Sequence, residues 1–431
     1  MARTFHPYWE TTGAHKVKRI AIFIDGTWNR PDAEHPTNVV RLSRCVQHHD
    51  RATDTPQMVI YSPGVGSGRG NTAFGRQLDR IFGGTLGWGL LDIIEDTYRN
   101  LVYAYEPGDE VYIFGFSRGA FAARSLAGMI RSCGICPRSH LARIPQAVAR
   151  YVSRAPETHP EHPHSYAFRA DFAPDTATSS GEYNWRRATG DADAILLTLP
   201  YIGVWDTVGA LGLPSFLPFA KVFNAKYQFH DTKLSSSVLS ARHAVAIDER
   251  RKTFPPHLWS NLDGLNARYA SDSGSQPAPA YTQQWFPGDH GSIGGGGSRI
   301  GLSSIAMHWV AMGAQDAGLA FNWDDFDRQA WRLDTSEPTK NKFGPVGLSA
   351  LLLGAITFDR AGPNKLDDLS LAALDRFRGQ DYQPKSLDAV YHELYNMSDK
   401  EWGDTRAMMI ARDRGATHDL DSQMRPRSRE Y

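Results

Sequence analysis

The sequence has few cysteines and no excess charge of either sign, and each absence excludes a class of protein. Its 431 residues contain three cysteines, Cys45, Cys133 and Cys136, which are too few for a disulfide framework and suit a reducing compartment. Lysine and arginine together number 47, as do aspartate and glutamate, so the formal net charge is +0 at pH 7. We therefore expect no overall electrostatic attraction to nucleic acid or to an anionic membrane.

Long hydrophobic runs and targeting signals are also missing. The longest apolar run covers about residues 346–356, well short of the roughly 20 residues that a helix needs to cross a bilayer. Residues 1–7 contain no basic segment followed by an apolar one, so we expect no secretory signal and synthesis in the cytoplasm. Action outside the producing cell would need another export route.

Apolar runs of strand length alternate with helical patterns along most of the chain. The first three runs lie at 19–24, 58–61 and 111–114. Such alternation predicts an α/β fold with a mostly parallel sheet and helices on both faces. We expect a catalytic domain over residues 18–320, with a surface insertion at about 156–187. Residues 321–431 are expected to form a helical C-terminal region that packs on the core and ends in a frayed tail.

A serine between two glycines follows the third apolar run. Ser117 lies in the string GFSRG, residues 115–119, between the strand pattern 111–114 and a helical pattern over 119–130. In a Gly-x-Ser-x-Gly elbow, a sharp strand-to-helix turn presents the serine hydroxyl, and glycines stand where a Cβ would collide with neighbouring backbone. The pattern predicts a catalytic nucleophile; the alternative is an ordinary strand-to-helix turn.

A serine nucleophile needs a base, usually a histidine oriented by a carboxylate, and both follow later predicted strands. Asp206 follows a strand pattern at 195–204, and His290 follows another at 281–286. The order Ser117, Asp206, His290 is one in which α/β enzymes carry such a triad. We therefore predict that these three residues act together. The competing acids are Asp248, which is the runner-up, Glu249 and Asp289.

Negative charge that develops on the substrate's carbonyl oxygen needs hydrogen-bond donors. We expect one to be the backbone N–H of Arg118, and the second to come from Gly26 or Thr27 in the loop after the first strand. Asp25, at the start of that loop, is expected to hold the loop through backbone amides rather than to react. This chemistry needs no metal and no other cofactor.

Four other segments suggest different functions or neighbours of the site. The glycine-rich loop 63–71 lacks the spacing of known phosphate-binding loops, so we favour a loop at the rim of the site over nucleotide binding. Cys133 and Cys136 have redox-motif spacing but fall at a predicted helix end. The histidines of 159–164 could hold a metal, yet the intervening prolines favour a surface insertion. The apolar stretch 210–220 is either a lid or a loop packed on the core.

Four ordered motifs resemble a known family. They are IDGTWN at 24–29, GFSRGAF at 115–121, GVWDTVG at 203–209 and WFPGDH at 285–290. They resemble the uncharacterised α/β-hydrolase-domain family whose best-known members are class-one lipase effectors of the bacterial type VI secretion system. The resemblance covers about residues 18–320 and implies an α/β-hydrolase fold and a phospholipase A activity using Ser117, Asp206 and His290. Residues 291–293 depart from the family's usual Ser-Asp and valine, which alters the neighbourhood of the histidine but spares it.

The leading hypothesis is a serine lipase or esterase that hydrolyses phospholipid acyl esters at a membrane surface. The family resemblance further implies delivery by type VI secretion to a rival's periplasm, with a spike protein as carrier and an immunity protein in the producer. One alternative is a cytoplasmic esterase or thioesterase acting on a soluble substrate, since a fold does not dictate a substrate. A second is a catalytically silent binding module.

Overall fold

The structure is a computed structural model of the chain. It describes residues 17–27, 29–64, 88–191, 194–197, 199–209, 233–252, 254–273, 279–328, 333–341, 358–379 and 381–413. The glycine-rich loop beyond residue 64, the stretch 210–220, the apolar run 346–356 and the tail after residue 413 lie outside these residues.

Seven strands of the described chain form one sheet in the order β2-β3-β1-β4-β7-β8-β9. Their bounds are β1 Arg19–Ile24, β2 His49–Asp50, β3 Thr55–Ser62, β4 Glu110–Phe116, β7 Tyr201–Trp205, β8 Ala241–Ala246 and β9 Tyr281–Phe286. Two further strands, β5 Thr176–Ala177 and β6 Ile195–Leu196, pair only with each other. Apart from the antiparallel pair of β2 and β3, every pairing in the large sheet is parallel. The predicted α/β class with a mostly parallel sheet is confirmed.

Helices connect the strands and extend past the last one. The α-helices are α1 Asn38–Cys45, α2 Trp88–Ala104, α3 Arg118–Cys133, α4 Ile144–Val152, α5 Pro163–Phe172, α6 Ser180–Ala188, α7 Leu262–Ser273, α8 His290–Gly294, α9 Gly301–Asp316, α10 Trp323–Arg328, α11 Leu371–Gly379, α12 Asp388–Asn396 and α13 Asp399–Asp413. Short 3-10 helices cover Arg138–Arg143, Pro156–Thr158, Leu366–Asp368 and Lys385–Leu387. In the described part of the chain, no helix is both long and apolar enough to cross a membrane.

The sheet is covered on both faces, and the sequence of β1 reflects this because it is apolar at every position after Arg19. Successive side chains of a strand point to opposite faces, so a strand buried on both sides needs apolar residues at every position. Ile20, Ile22 and Ile24 belong to a core cluster shared with α2 and α3. Ala21 and Phe23 belong to the opposite cluster, shared with α1 and α9. All six residues of β1 are buried.

The predicted strand at 195–204 divides in two. Residues 195–196 form β6, which pairs with β5 outside the main sheet, and β7 begins only at Tyr201. Pro200 stands between them, and a proline cannot donate a hydrogen bond to a sheet ladder. The last strand, 281–286, agrees with its prediction.

The segment 156–187, expected to be a surface insertion, contains helix α5 and most of helix α6. Its arginines Arg169 and Arg186 are fully buried and both bond to the buried carboxylate of Glu182. Their remaining donors reach backbone carbonyl oxygens, including that of Ser132 in α3. Burial of charge is tolerated here because the charges are paired and hydrogen-bonded. The segment is therefore tied into the fold by polar contacts.

The C-terminal residues share a third apolar cluster with the edge of the sheet. Val245, Ile247 and Trp285 of the β8–β9 edge pack with residues of α11, α12 and α13. Trp285 also forms an isolated parallel bridge with Leu369. The boundary at residue 320 remains a prediction, but residues 358–413 contact the same sheet edge from which His290 follows.

Candidate active site

Ser117 lies in a strained turn between β4 and α3. Its φ of 60° is unusual for a residue with a Cβ, and its ψ is −125°. Strain of this kind costs on the order of 1–3 kcal/mol and persists only where the surroundings impose it. The Ser117 N–H donates to the carbonyl oxygen of Trp205, the last residue of β7, at 3.1 Å. This bond connects the turn to the strand that carries Asp206.

The glycines on either side of the turn are required by close backbone approach. A Cβ added at Gly119 would lie 2.3 Å from the carbonyl oxygen of Ile24 and 2.4 Å from that of Asp25. A Cβ at Gly115 would lie 2.4 Å from the carbonyl oxygen of Gly119. Real Cβ atoms do not approach other atoms so closely, so only glycine lets the start of α3 cross over the end of β1. The same contact brings the loop after β1 beside Ser117.

Asp206 and His290 are in direct contact at the carboxyl ends of β7 and β9. His290 Nδ1 lies 2.5 Å from Asp206 Oδ2, and both side chains are almost fully buried. A carboxylate only accepts hydrogen bonds, so Nδ1 carries the proton and Nε2 is left as the acceptor nitrogen. Asp206 has a positive φ of 36° immediately after β7. The structure therefore brings together two of the three predicted residues, with the imidazole in the tautomer that a general base needs.

Aromatic rings hold the imidazole of His290. The ring of Phe116, the residue before Ser117, lies 4.6 Å from the imidazole, and Phe254 meets it edge-on at 4.9 Å. Burial lowers the pKa of His290, while the hydrogen bond and the negative charge of Asp206 act in the opposite direction. The net direction is downward, so the imidazole is neutral at pH 7. Through Phe116 the histidine is also connected to the turn that carries Ser117.

Arg360 binds the same carboxylate from the opposite side. Its Nη1 donates to Asp206 Oδ1 at 2.7 Å, and its Nη2 donates to Asp206 Oδ2 at 3.0 Å. Burial on its own would raise the pKa of Asp206, but the positive charge of Arg360 and the hydrogen bond of His290 hold it well below its usual range. The backbone N–H of Ala246 is a further donor to Oδ1, at 2.9 Å. Asp206 is thus an ionised carboxylate with both oxygens engaged.

The competing acids have other partners. Asp248 Oδ2 accepts from the backbone N–H of Gly288 at 2.6 Å and from the hydroxyl of Tyr382 at 2.7 Å. Glu249 pairs with Arg251 and accepts the backbone N–H of His290 at 3.2 Å, not its ring. Asp289 caps α8 by accepting the N–H of Ser292. Among these acids, only Asp206 bonds to the imidazole.

The loop after β1 is fixed by Asp25. Its Oδ1 accepts the backbone N–H of Gly26 at 2.7 Å, and its carboxylate also accepts the hydroxyls of Thr37 and Tyr61. Burial raises the pKa of Asp25 to about 6, although these hydrogen bonds lower it. Because the Gly26 N–H is committed to Asp25, the structure does not support Gly26 as an oxyanion donor. Thr27 is the remaining predicted donor of this loop, and its hydroxyl is buried without a hydrogen-bond partner among the described residues.

The glycine run after His290 packs on the protein itself. A Cβ at Gly294 would lie 1.9 Å from the ring of Phe116, and one at Gly295 or Gly297 would meet Asn38 or Asn341. The absence of side chains at these glycines lets α8 pack closely against β4, the strand that precedes Ser117.

The other motifs do not assemble into sites. In the ranges that the structure describes, no group of three or more His, Cys, Asp and Glu side chains is placed to hold a metal ion. Cys133 and Cys136 are buried free thiols, and burial raises the pKa of both, which disfavours the reactive thiolate. His308 is buried in α9 with its ring against Trp323, as expected for a packed side chain.

Two residues near the site were not identified from the sequence. Arg360 is one of 47 lysines and arginines and carries no local motif. His243, in β8, is buried and neutral because burial lowers its pKa to about 3. Its Nε2 accepts the backbone N–H of Thr207, the residue after Asp206, at 3.1 Å, and its Nδ1 lies 2.9 Å from Gln283 Oε1.

Comparisons with known proteins agree with the motifs. The model of the family described as "T6SS, Phospholipase effector Tle1-like, catalytic domain" matches residues 18–313. The uncharacterised protein YEL023C of Saccharomyces cerevisiae is 26% identical over 245 residues, which are 55% of this chain and 32% of the yeast protein. The chain therefore spans about a third of the length of that curated relative. The resemblance inferred from the four motifs is confirmed by the family match, which supports a function of the lipase or esterase type.

Similar solved structures overlap loosely. An uncharacterised protein from Pseudomonas aeruginosa has a TM-score of 0.40 at 16% identity, covering 94% of this chain and 65% of that one. The Tle1 effector bound to the VgrG spike of the type VI secretion system has a TM-score of 0.33 at 16% identity, covering 68% and 55%. An esterase of Thermogutta terrifontis, Est2, has a TM-score of 0.32 at 12% identity, covering 72% and 88%. Similarity at this level does not define an activity or a substrate.

Proposed function

Because the chain belongs to the Tle1-like family of type VI secretion phospholipase effectors, we propose that it is a serine hydrolase that cleaves acyl esters of phospholipids. The observation that carries this proposal is the 2.5 Å contact of His290 Nδ1 with Asp206, next to a strained turn that presents Ser117. A hydroxyl is a poor nucleophile at neutral pH and needs such a base. We assign Ser117 as nucleophile, His290 as general base and acid, and Asp206 as the carboxylate that orients the histidine.

The reaction proceeds in two acyl transfers. Ser117 Oγ attacks the acyl carbonyl carbon while His290 Nε2 takes the hydroxyl proton, and the bond to the lysophospholipid oxygen then breaks as His290 gives that proton to it. Water next attacks the acyl-serine ester with His290 as base. The proton returns to Ser117 and the fatty acid leaves. Asp206 stays ionised throughout and stabilises the imidazolium that forms twice in each cycle.

The oxyanion is assigned to two backbone donors. The N–H of Arg118 is at the first residue of α3, a helix of 16 residues whose N-terminal end carries partial positive charge. The N–H of Thr27 belongs to the loop that the contact at Gly119 brings beside Ser117. Donors fixed in place before the reaction contribute on the order of 3–4 kcal/mol each to catalysis. Asp25 serves by fixing this loop rather than by reacting.

The substrate and the route of delivery rest on family membership. We propose a phospholipid at a membrane surface as substrate and export by type VI secretion into the periplasm of a target cell. A spike protein as carrier and an immunity protein in the producing cell complete that proposal. A toxicity assay tests it: expression with an added periplasmic signal should arrest a Gram-negative test strain, and the Ser117→Ala variant should not.

Lipid hydrolysis followed by mass spectrometry tests the activity. Wild-type protein incubated with phosphatidylethanolamine and phosphatidylglycerol vesicles should release fatty acid and lysophospholipid, and Ser117→Ala should release neither. A fluorophosphonate probe should label the wild type and not Ser117→Ala. Ser125→Ala is the matched control, because Ser125 is a buried serine of the same helix α3. It should retain labelling and turnover.

The outcomes separate this proposal from its alternatives. Turnover of short-chain soluble esters without any release from vesicles would replace the lipase assignment with a soluble esterase or thioesterase. Folded wild-type protein that neither labels nor hydrolyses any ester would show a binding module that keeps the fold without the reaction. Equal labelling of the wild type and Ser117→Ala would remove Ser117 as the nucleophile.

A further inference from the structure

Arg360 lies outside the part of the chain that carries the family's catalytic domain. The family match ends at residue 313, and residue 360 belongs to the segment that follows. The guanidinium is nonetheless completely buried, against Asp206. A residue from beyond the matched domain thus contacts the carboxylate of the proposed triad directly.

Both terminal nitrogens of Arg360 are hydrogen-bonded, whereas its buried Nε has no hydrogen-bond partner among the described residues. Nη1 bonds to Asp206 Oδ1 and to the carbonyl oxygen of Ala246 at 2.9 Å, and Nη2 bonds to Asp206 Oδ2 and to the carbonyl oxygen of Phe254 at 2.6 Å. A planar guanidinium can hold both oxygens of a carboxylate in one plane, which lysine cannot do. The two carbonyl contacts fix the fork relative to β8 and to the aromatic ring of Phe254 that touches His290.

The segment that carries Arg360 is itself anchored. The N–H of Phe358 donates to the carbonyl oxygen of Arg250 at 2.9 Å, and Asp359 pairs with the Arg250 side chain at 2.8 Å. Together with the bond from Arg360 to Phe254, these contacts place residues 358–360 beside Arg250 and Phe254. The backbone that carries Arg360 is therefore held in place, which fixes the position of its guanidinium in the site.

We propose that Arg360 is a positioning residue for the hydrolysis. Its guanidinium holds the Asp206 carboxylate so that Oδ2 faces His290 Nδ1, and its positive charge makes His290 less basic than it would be in a triad without a cation beside the aspartate. The inference rests on the proposed function for its catalytic consequence. In a triad without such a cation, the full negative charge of the aspartate stabilises the imidazolium. Here the buried positive charge of Arg360 offsets part of that stabilisation, because electrostatic interactions between buried groups are screened less than those in water.

The other charges that face His290 do not replace this effect. Glu249 accepts the backbone N–H of His290 and forms a salt bridge of 2.6 Å with Arg251. Because their charges are opposite, the effects of these two residues on the imidazole oppose each other. Asp206 is the partner of the ring itself. Removal of Arg360 therefore changes the net charge around the imidazole by one unit, with no compensating group in the described site.

Charge and fork geometry are separated by two substitutions. Arg360→Gln removes the charge, so the acidic limb of the kcat profile should move to higher pH by about one to two units, the size expected for a unit charge at an effective dielectric near 20. Arg360→Lys keeps the charge but loses the fork, so kcat should fall on the order of 100-fold through misplacement of the carboxylate while the limb stays in place. Guanidinium chloride at millimolar concentration should restore part of the activity of Arg360→Ala, and sodium chloride should not.

Arg376→Gln is the matched control. Arg376 is a buried arginine of the same C-terminal region that donates to the carbonyl oxygens of Thr335 and Glu337. Its loss should lower the melting temperature without moving the pH profile. A wild-type kcat and an unmoved limb in folded Arg360→Gln would overturn the proposal. So would the same limb shift in Arg376→Gln, because the effect would then be a general loss of packing.

An NMR titration of the His290 imidazole distinguishes failure of this inference from failure of the proposed function. It is carried out in the Ser117→Ala background, which needs no turnover. The pKa of His290 should rise when Arg360→Gln is added, and an unchanged pKa would refute the role of Arg360 whatever the reaction is. If the wild type shows no labelling or hydrolysis but Arg360→Gln still shifts the pKa of His290, the proposed role of Arg360 is supported and the hydrolase proposal fails.

Discussion

Replacing Asp206 by asparagine tests the proposed triad, because the exchange keeps the shape of the side chain but replaces one acceptor oxygen by a donor and removes the negative charge. Asp206 accepts four hydrogen bonds: one from the Ala246 N–H, one from His290 Nδ1 and two from Arg360. An asparagine has a single oxygen, and its amide nitrogen is a donor. Whichever way the amide is turned, its NH₂ group faces a donor of Arg360.

The orientation that suits Ala246 places the NH₂ group against His290 Nδ1. That nitrogen must then lose its proton to accept a hydrogen bond, so the proton moves to Nε2 and the imidazole can no longer take one from Ser117. We expect kcat to fall on the order of 10⁴-fold, which corresponds to roughly 5.5 kcal/mol of barrier. The buried charge of Arg360 also loses its partner, which costs about 3–5 kcal/mol of unfolding free energy.

Two measurements check this prediction. Initial rates on phospholipid vesicles give kcat, and urea unfolding gives the stability of the same preparation. Asp248→Asn is the control: Asp248 bonds to Gly288 and Tyr382 but not to His290, so it should cost stability while kcat stays within a few-fold. Folded Asp206→Asn with activity within tenfold of the wild type, or a larger loss in Asp248→Asn, would refute the assignment of the acid.

Three further predictions concern the turn, the base and the loop after β1. Gly119→Ala should abolish fluorophosphonate labelling and lower the free energy of unfolding by more than the roughly 1–3 kcal/mol of ordinary overpacking, because its Cβ would meet two carbonyl oxygens at 2.3 and 2.4 Å. Gly264→Ala is the control for labelling and stability, because a Cβ there meets nothing within 4 Å. Since burial lowers the pKa of His290, the acidic limb of kcat/KM in the wild type should lie below 6.5, and a limb above that value would contradict the assigned environment. Burial raises the pKa of Asp25 to about 6 in the folded state, well above its ordinary value of 3.8, so the folded state binds its proton more tightly and stability is lost as pH rises from about 4 to 6. Asp25→Asn should remove about 3 kcal/mol of that decline in urea unfolding, and an unchanged pH dependence would show that Asp25 is not buried as described.

The predictable part of the fold follows from local patterns. β1 has the predicted bounds because the five residues after Arg19, buried on both faces, leave a continuous apolar signal. β9 also has its predicted bounds, although it is only partly buried at Thr282 and Gln283. Thr37 caps α1 by accepting the backbone N–H of Val40, a local interaction of the kind that a threonine before a helix makes. The strand at 195–204 was wrong in its first half because apolar composition does not reveal which of two sheets a segment joins. Only pairing partners decide that, and they are distant in sequence.

The site shows the same division. The elbow could be recognised because its glycines are dictated by contacts within a few residues and by the crossing of β1, which recurs wherever this turn is used. The order of Ser117, Asp206 and His290 followed from counting strand ends. The choice between Gly26 and Thr27 could not be made, because it depends on the direction of one N–H that Asp25 accepts.

By itself, the sequence determined the class of the fold, the place of the turn that carries Ser117 and the chain order of the proposed triad, since each leaves a periodic or glycine-fixed local pattern. Only the tertiary structure decided that Asp206 rather than Asp248 bonds to His290, and that Arg360 holds Asp206 from the far side. Both depend on side chains that meet across more than 80 residues of chain. Such contacts are set by how helices and loops pack around the sheet, and no local pattern records them.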